Sequence, residues 1–273
     1  AGTAGSVVSY GLADGGTGVI ALQPDVADSQ CLIADYPDII AAVQAAQDDI
    51  ISGDIVVPDP LFAPVVETAA PAADGPESLE VGMVLLGVKE EGWYSSMLDS
   101  IARTGEAKPY GLDISVQIFE KTPYVEGERV LRDLAQSGEF DMIILHSTYS
   151  DAVAAVMDDF PETTFVFSGS GNEATGRNGY WLDVFIHEPA YLAGIIAGMM
   201  TETNVLGGVA AFPYPNVNAP LNAWIAGAQS VNPAVTAYVT YIESWFDPAT
   251  AKAAADAQIA NGADMLYAER LGP

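Results

Sequence analysis

From Leu79 onward the chain alternates short, continuously apolar runs with stretches in which apolar residues return every three or four positions. Val81-Gly-Met-Val-Leu-Leu-Gly87 is the first such run, the pattern of a parallel strand covered on both faces. The same pattern predicts strands at 114–119, 142–145, 164–167, 205–210, 237–241 and 265–267, with helices near 94–104, 125–137, 149–159, 189–201, 219–230 and 248–261. Strands alternating with helices of this length form βαβ units with right-handed crossovers. Asp141, Thr163 and Asp264 each stand just before a strand, and Gly138, Asn204 and Gly262 stand where the preceding helices should end. The expected fold class is α/β in two lobes, each a mostly parallel sheet with helices on both faces. The first lobe is placed at 79–187, and a hinge region with the second at 188–273.

The second lobe so defined has three strands, fewer than a doubly wound lobe normally carries, and the beginning of the chain offers part of the deficit. Ser6–Tyr10 reads as a strand, Gly11–Gly18 as a turn-rich connection and Val19–Leu22 as a second short strand. Tyr36-Pro37 opens an amphipathic helix running to about Ile51 through Ile39, Ile40, Val43, Ala46, Ile50 and Ile51, and Asp54–Pro58 reads as a final strand-like exit. Residues 1–60 are therefore expected to complete the second lobe. Residues 61–78 are Ala/Pro-rich, lack periodicity and have the composition of a semi-extended linker.

Composition narrows the possible functions. The 273 residues are 50% hydrophobic and 9% aromatic, enough for a sizeable ordered core, but 37 Asp and Glu face 9 Lys and Arg, a formal net charge of -28. That field repels nucleic acid and anionic membrane surfaces. Two explanations stay open, adaptation to high salt or attraction of a cation, although the acids do not cluster at ligand spacing. The single Cys31 excludes an internal disulfide and reads as a small apolar filler. No run of 18 uncharged apolar residues is present. Gly11-Leu-Ala-Asp-Gly-Gly-Thr-Gly18 lacks the Lys-Ser/Thr ending of a phosphate loop, and Asp14 fits a tight turn. There is no nucleophile elbow, no His-Glu-x-x-His and no Cys-His pair, and His146 is not at ligand spacing to His187-Glu188. Neither an enzyme, a metal site nor a cofactor is expected.

Several motifs resemble the basic membrane protein family, the lipoproteins that serve as substrate-binding subunits of ABC importers for nucleosides and related molecules. They are Glu91-Gly-Trp-Tyr94, Glu188-Pro-Ala-Tyr-Leu-Ala-Gly-Ile-Ile-Ala-Gly198, Ala211-Phe-Pro-Tyr-Pro-Asn216, Asn222-Ala-Trp-Ile-Ala-Gly-Ala228, Ser244-Trp-Phe-Asp-Pro248 and Gly262-Ala-Asp264. Block 79–273 is similar to the family's first two thirds, and block 1–60 to its last part, as though the chain were permuted with a gap. The resemblance implies a type I periplasmic-binding-protein-like fold and an extracytoplasmic place, with a possible lipid anchor and permease subunits as partners. It also implies a nucleoside-like ligand in the inter-lobe cleft, held by hinge closure. One departure bears on the ligand: the family's Asp-x-Ser-Phe-Asn is here Glu90-Glu-Gly-Trp-Tyr-Ser95, which lacks the asparagine amide.

Ligand-contact candidates follow the strand ends, where ligands of open α/β sheets lie. In the first lobe they are Trp93 and Tyr94, then Ser147, Thr148 and Tyr149, whose alternative role is helix capping. In the second they are Phe212, Tyr214 and Asn216 on a proline-stiffened loop, Trp245 and Asp247 after the next strand, and Glu269 after the third. Asp247 is also placed to cap the helix opening at Pro248. An alternative to transport is an assembly role in which residues 1–60 complete a neighbouring subunit by domain swapping.

Overall fold

The computed structural model describes residues 7–24, 26–28, 31–57, 77–108, 111–147, 149–168 and 178–269. The chain divides into two compact units, one of Ala1–Ser9 with Phe62–Asp183 and one of Tyr10–Leu61 with Val184–Pro273. The boundary falls a few residues before the expected 187/188. The Ala/Pro-rich stretch from 58 to 76, Thr148 and Arg270 lie outside the described residues.

The first unit is built on a six-stranded sheet from β1 (Val7–Tyr10), β2 (Ser78–Val84), β3 (Asp113–Phe119), β4 (Met142–Leu145), β5 (Thr164–Ser168) and β6 (Gly179–Val184), in the order β1-β6-β5-β4-β2-β3. The pairs among β2 to β6 are parallel. Alternate residues supply two faces. Val84, Ile143, Leu145, Phe165 and Phe167 pack with Leu131 of α3 (Gly127–Ser137) and Val153 of α4 (Ser150–Val156), while Met83 and Leu85 pack with Tyr94 of α2 (Gly92–Ala107). Each such fully buried side chain contributes roughly 1.5 to 3 kcal/mol of apolar transfer. Asp141 ties strand entry together, its carboxylate accepting the Glu80 N–H at 2.9 Å. Gly138, expected as a helix end, caps α3 at φ 67°.

The second unit holds a three-stranded parallel sheet, β8-β7-β9, from β7 (Val205–Ala210), β8 (Thr236–Tyr241) and β9 (Met265–Ala268). Helix α6 (Pro215–Val231) covers one face, with Leu221 against β7. On the other face α7 (Pro248–Ala260) buries Gln258, whose Nε2 donates to the Gly208 carbonyl at 2.8 Å and the Thr240 hydroxyl at 2.9 Å. Helix α5 (His187–Met200) lies so close to α6 that a Cβ at Gly194 would meet the Trp224 carbonyl oxygen at 2.0 Å, and one at Gly227 the Tyr191 carbonyl oxygen at 2.0 Å. Asp264 holds the α5–β7 turn, accepting from the Thr201 hydroxyl at 2.6 Å and the Glu202 and Thr203 amides at 2.6 and 2.9 Å. Burial pushes its pKa up, but these hydrogen bonds together hold it below the usual carboxylate value.

The beginning of the chain joins this unit through α1 (Pro37–Ser52). Its Ile39, Val43 and Ala46 share one core with Leu12, Ala21 and Val57 and with Tyr191, Leu192 and Ile195 of α5. Cys31 packs half-buried against the same core.

Several expectations need correcting. The strand at the start of the chain, assigned to the second lobe, is an edge strand of the first sheet. Val19–Leu22 is no strand but a single 3-10 turn at Ile20–Leu22, because one residue in three, Ala21, is buried there instead of alternate ones. The stretch after Gly53 folds back on α1, with the Ile55 N–H donating to the Asp49 carbonyl at 2.9 Å. Strand β6 was not anticipated. Helix α6 starts at Pro215, four residues earlier than expected, because Pro215 needs no amide partner in the first turn; Pro220 lies buried inside the helix.

Candidate functional site

In a parallel sheet every strand delivers the residues after it to one edge, and in both units that edge carries aromatic rings. In the first unit, α2 begins eight residues after β2 ends, placing Trp93 at its second position, 48% exposed. The indole stacks on the His146 imidazole, centroids 5.0 Å apart and planes 9° from parallel. His146 directly follows β4 and is buried. Its Nε2 lies 3.3 Å from the Trp93 carbonyl oxygen, and its Nδ1 lies 3.4 Å from Oγ of Ser168, the last residue of β5. Burial lowers the His146 pKa, opposed only by the bond to the Trp93 carbonyl. Tyr94 meets the same imidazole edge-on at 5.7 Å. A second group follows β3: Tyr124, 43% exposed, makes a 2.6 Å hydroxyl contact with Ser147 and leans on Tyr149 with centroids 5.0 Å apart.

In the second unit, Phe212 and Tyr214 follow β7 and Trp245 follows β8. Phe212 stacks on Tyr214 at 5.4 Å and 19°, and Trp245 closes the triangle at 5.0 Å from Phe212 and 5.9 Å from Tyr214. The local cause lies in the two prolines, which stiffen the loop and start α6 at Pro215 with Tyr214 as its N-cap. Tyr214 is 50% exposed. Behind the ring triangle, the Tyr241 hydroxyl donates to Asn218 Oδ1 at 2.6 Å. Glu269, after β9, accepts from the Ala211 N–H at 3.3 Å. Tyr267 is half-buried near Glu269, and both burial and that carboxylate push its pKa up to about 12.

The structure thus brings together Phe212, Tyr214 and Trp245 within one unit, and sets Trp93 at the strand edge of the other. Asn216 sits half-buried in the first turn of α6, beside the triangle. Three expected ligand contacts take other places. Tyr94 is only 5% exposed and packs with Met83 and Leu85. Tyr149 is 2% exposed, its hydroxyl donating to the Thr122 carbonyl at 2.5 Å, and burial drives its pKa well above the ordinary tyrosine value. Asp247 caps α7, accepting from the Thr250 N–H at 3.0 Å and its hydroxyl at 2.8 Å; these bonds, the backbone one foremost, hold its pKa down. Sequence reasoning missed His146, Ser168, Tyr124 and Asn218. Position was a usable signal for three of them, since Tyr124, His146 and Ser168 all lie at or just beyond a strand's carboxyl end. Among the described residues no group of three or more His, Cys, Asp or Glu is placed to hold a metal ion. No helix among them is long and apolar enough to cross a membrane.

Parallel sheets covered on both faces, with ring clusters on the carboxyl edges, define the class: an α/β fold of the periplasmic-binding-protein type. It is similar to an ABC transporter solute-binding protein from Conexibacter woesei (TM-score 0.55, 25% identity, covering 70% of this chain and 63% of that one). It also shares its fold with solute-binding proteins of an ABC transporter system from Aeropyrum pernix (TM-score 0.60, 22% identity, 70% and 54% covered). Residues 80–271 match the family model Bmp, ABC transporter substrate-binding protein PnrA-like, and the chain belongs to that family. Its relatives include the putative ABC transporter glucose-binding protein TsgA13 of Haloferax volcanii, 42% identical over 54% of this chain and 37% of the relative. A purine-binding protein of Brucella abortus is 28% identical over 71% of this chain and 55% of its own length. The chain therefore spans only about a third to a half of these curated relatives. The family and these neighbours are solute-binding proteins of ABC transporters.

Proposed function

We propose that the protein is the extracytoplasmic solute-binding component of an ABC importer, taking up a nucleoside or similar small polar aromatic ligand and passing it to permease subunits. The observation that supports this reading is the pair of exposed aromatic surfaces at the strand ends, Trp93 in one unit and the Phe212, Tyr214 and Trp245 triangle in the other. A flat ring stacked on such a surface gains roughly 1 to 3 kcal/mol per base. Polar groups at the same edges, Ser147, Asn216 and Glu269, are suited to reading hydroxyls and ring nitrogens, and a hydrogen bond to a carboxylate is worth about 1.5 to 3 kcal/mol. The likeness to a purine-binding relative agrees with this class.

A hexose is the second reading, favoured by the name of the TsgA13 relative, since an aromatic face also packs on the apolar face of a sugar ring. The assembly alternative has less support, because α1 already packs on α5 of its own chain. Thermal-shift measurements with purine and pyrimidine nucleosides, their free bases and D-glucose test the proposal. Stabilisation by one or more nucleosides is expected; a response to glucose alone would replace the ligand class, and no response from any compound would defeat the binding reading.

A further inference from the structure

We propose that His146 is a positioning residue for the ligand-contacting face of Trp93, holding residue 93 at two points, through its ring and through its backbone. The inference rests on the reading of Trp93 as a ligand contact, and goes beyond it by assigning the group that fixes the indole. Three observations carry it. The imidazole lies parallel to the indole at 5.0 Å, so it shields part of one face of Trp93, a residue that stays 48% exposed. The same imidazole reaches the carbonyl of residue 93 itself at 3.3 Å, which fixes the backbone from which the indole projects. The imidazole is in turn held by Ser168 on β5 and by the edge of Tyr94 on α2, so it cannot rotate without breaking contacts with both.

The donor arrangement specifies the tautomer. A carbonyl oxygen only accepts, so Nε2 carries the hydrogen and donates to Trp93. In the neutral ring Nδ1 is then the acceptor, and the Ser168 hydroxyl donates to it. Burial keeps the ring neutral to lower pH than a solvated histidine, which maintains this pairing. The strands β2, β4 and β5 that deliver the three residues are adjacent in the sheet, so the set is carried on rigid backbone. An exposed tryptophan in the first turn of a helix would otherwise sample several rotamers, and ligand binding would have to restrict them.

The test combines a ligand-free readout with a double-mutant cycle. Acrylamide quenching of tryptophan fluorescence is measured on the unliganded protein, the Trp93 component being the difference between chains with and without Trp93→Phe. In the His146→Ala background the quenching constant of that component is expected to rise about twofold, as a second ring face opens to the quencher, and to return toward the original value in His146→Phe. An unchanged Trp93 component would overturn the proposal. With inosine as probe, calorimetry is expected to show about tenfold weaker binding for His146→Ala, but little further loss when His146→Ala is added to Trp93→Ala. Equal losses in both backgrounds would make His146 a general structural residue and overturn its role through Trp93. If inosine binds no variant and not the parent protein, the ligand reading fails while the quenching result still decides the role of His146. Ser168→Ala, which removes only the outer partner, gives the same comparison with a milder change, with a smaller shift of the same sign expected.

Discussion

Glu188, in the first turn of α5, accepts a 2.7 Å hydrogen bond from the backbone N–H of Leu12, a residue 176 positions away. Leu12 is buried and the bond itself partly so, so the carboxylate satisfies an amide with little access to water. Glu188→Ala should therefore cost about 1 to 3 kcal/mol, the penalty of a buried donor left unmade, and Glu188→Gln distinctly less. Urea midpoints of the two variants check this; equal and negligible losses would show that the bond contributes nothing.

The approach of α5 to α6 leads to a steric prediction. Gly194→Ala puts a methyl carbon 2.0 Å from the Trp224 carbonyl oxygen, a contact with fixed backbone, so the helices must separate. A loss of at least 1 to 3 kcal/mol is expected, about what overpacking costs elsewhere. Gly105→Ala in α2 meets nothing within 4 Å and should instead gain about 0.5 to 1 kcal/mol, as replacing glycine inside a helix does. Thermal melts of the pair should move in opposite directions.

His146 makes stability depend on pH. Its pKa is lowered in the folded protein by burial, whereas the unfolded chain titrates at about 6.5. The unfolded state then binds more protons below that value, so stability present above it is lost as pH falls toward the folded pKa. Between about pH 7.5 and 5 the urea midpoint of the parent protein should fall more than that of His146→Phe, which has no imidazole to protonate. Parallel curves would refute the linkage.

Among the expected contacts, Trp93→Ala and Trp245→Ala should each weaken the responding ligand by about tenfold or more, in line with the loss of one stacking surface. Asp247→Asn should leave affinity within about twofold and lower the melting temperature instead, because its carboxylate serves Thr250. Calorimetric titration beside a melting curve separates the two outcomes. A large affinity loss in Asp247→Asn would return that residue to the ligand.

Much of the architecture is legible from period alone, because parallel strands buried on both faces cannot be mistaken for solvated ones. Met142–Leu145 and Val205–Ala210 are of this kind, and their observed limits are those expected. Gly179–Val184 escaped notice because Tyr180, Trp181 and Asp183 mix apolar and charged positions in a strand that lies next to the sheet's edge. At the site, the ring triangle could be anticipated because Phe212, Tyr214 and Trp245 all follow strand ends. The inward turn of Tyr149 could not, since a tyrosine at a helix start gives no sign of which face it will take until the Thr122 carbonyl is in place. His146 escapes for a related reason: its spacing is read only for metal ligation beside His187-Glu188, whereas its partner is an indole.

The packing of α1 on α5 has a consequence for synthesis. A ribosome releases α1 well over a hundred residues before α5, the helix that covers Ile39 and Val43. At about 5 to 20 residues per second the delay is on the order of ten seconds, far longer than the microseconds in which the helix itself forms. Throughout that interval the apolar stripe of α1 is open to other nascent chains, and the first lobe can complete its sheet while the second still waits for its far end. Helix α1 is made long before the partner that covers it.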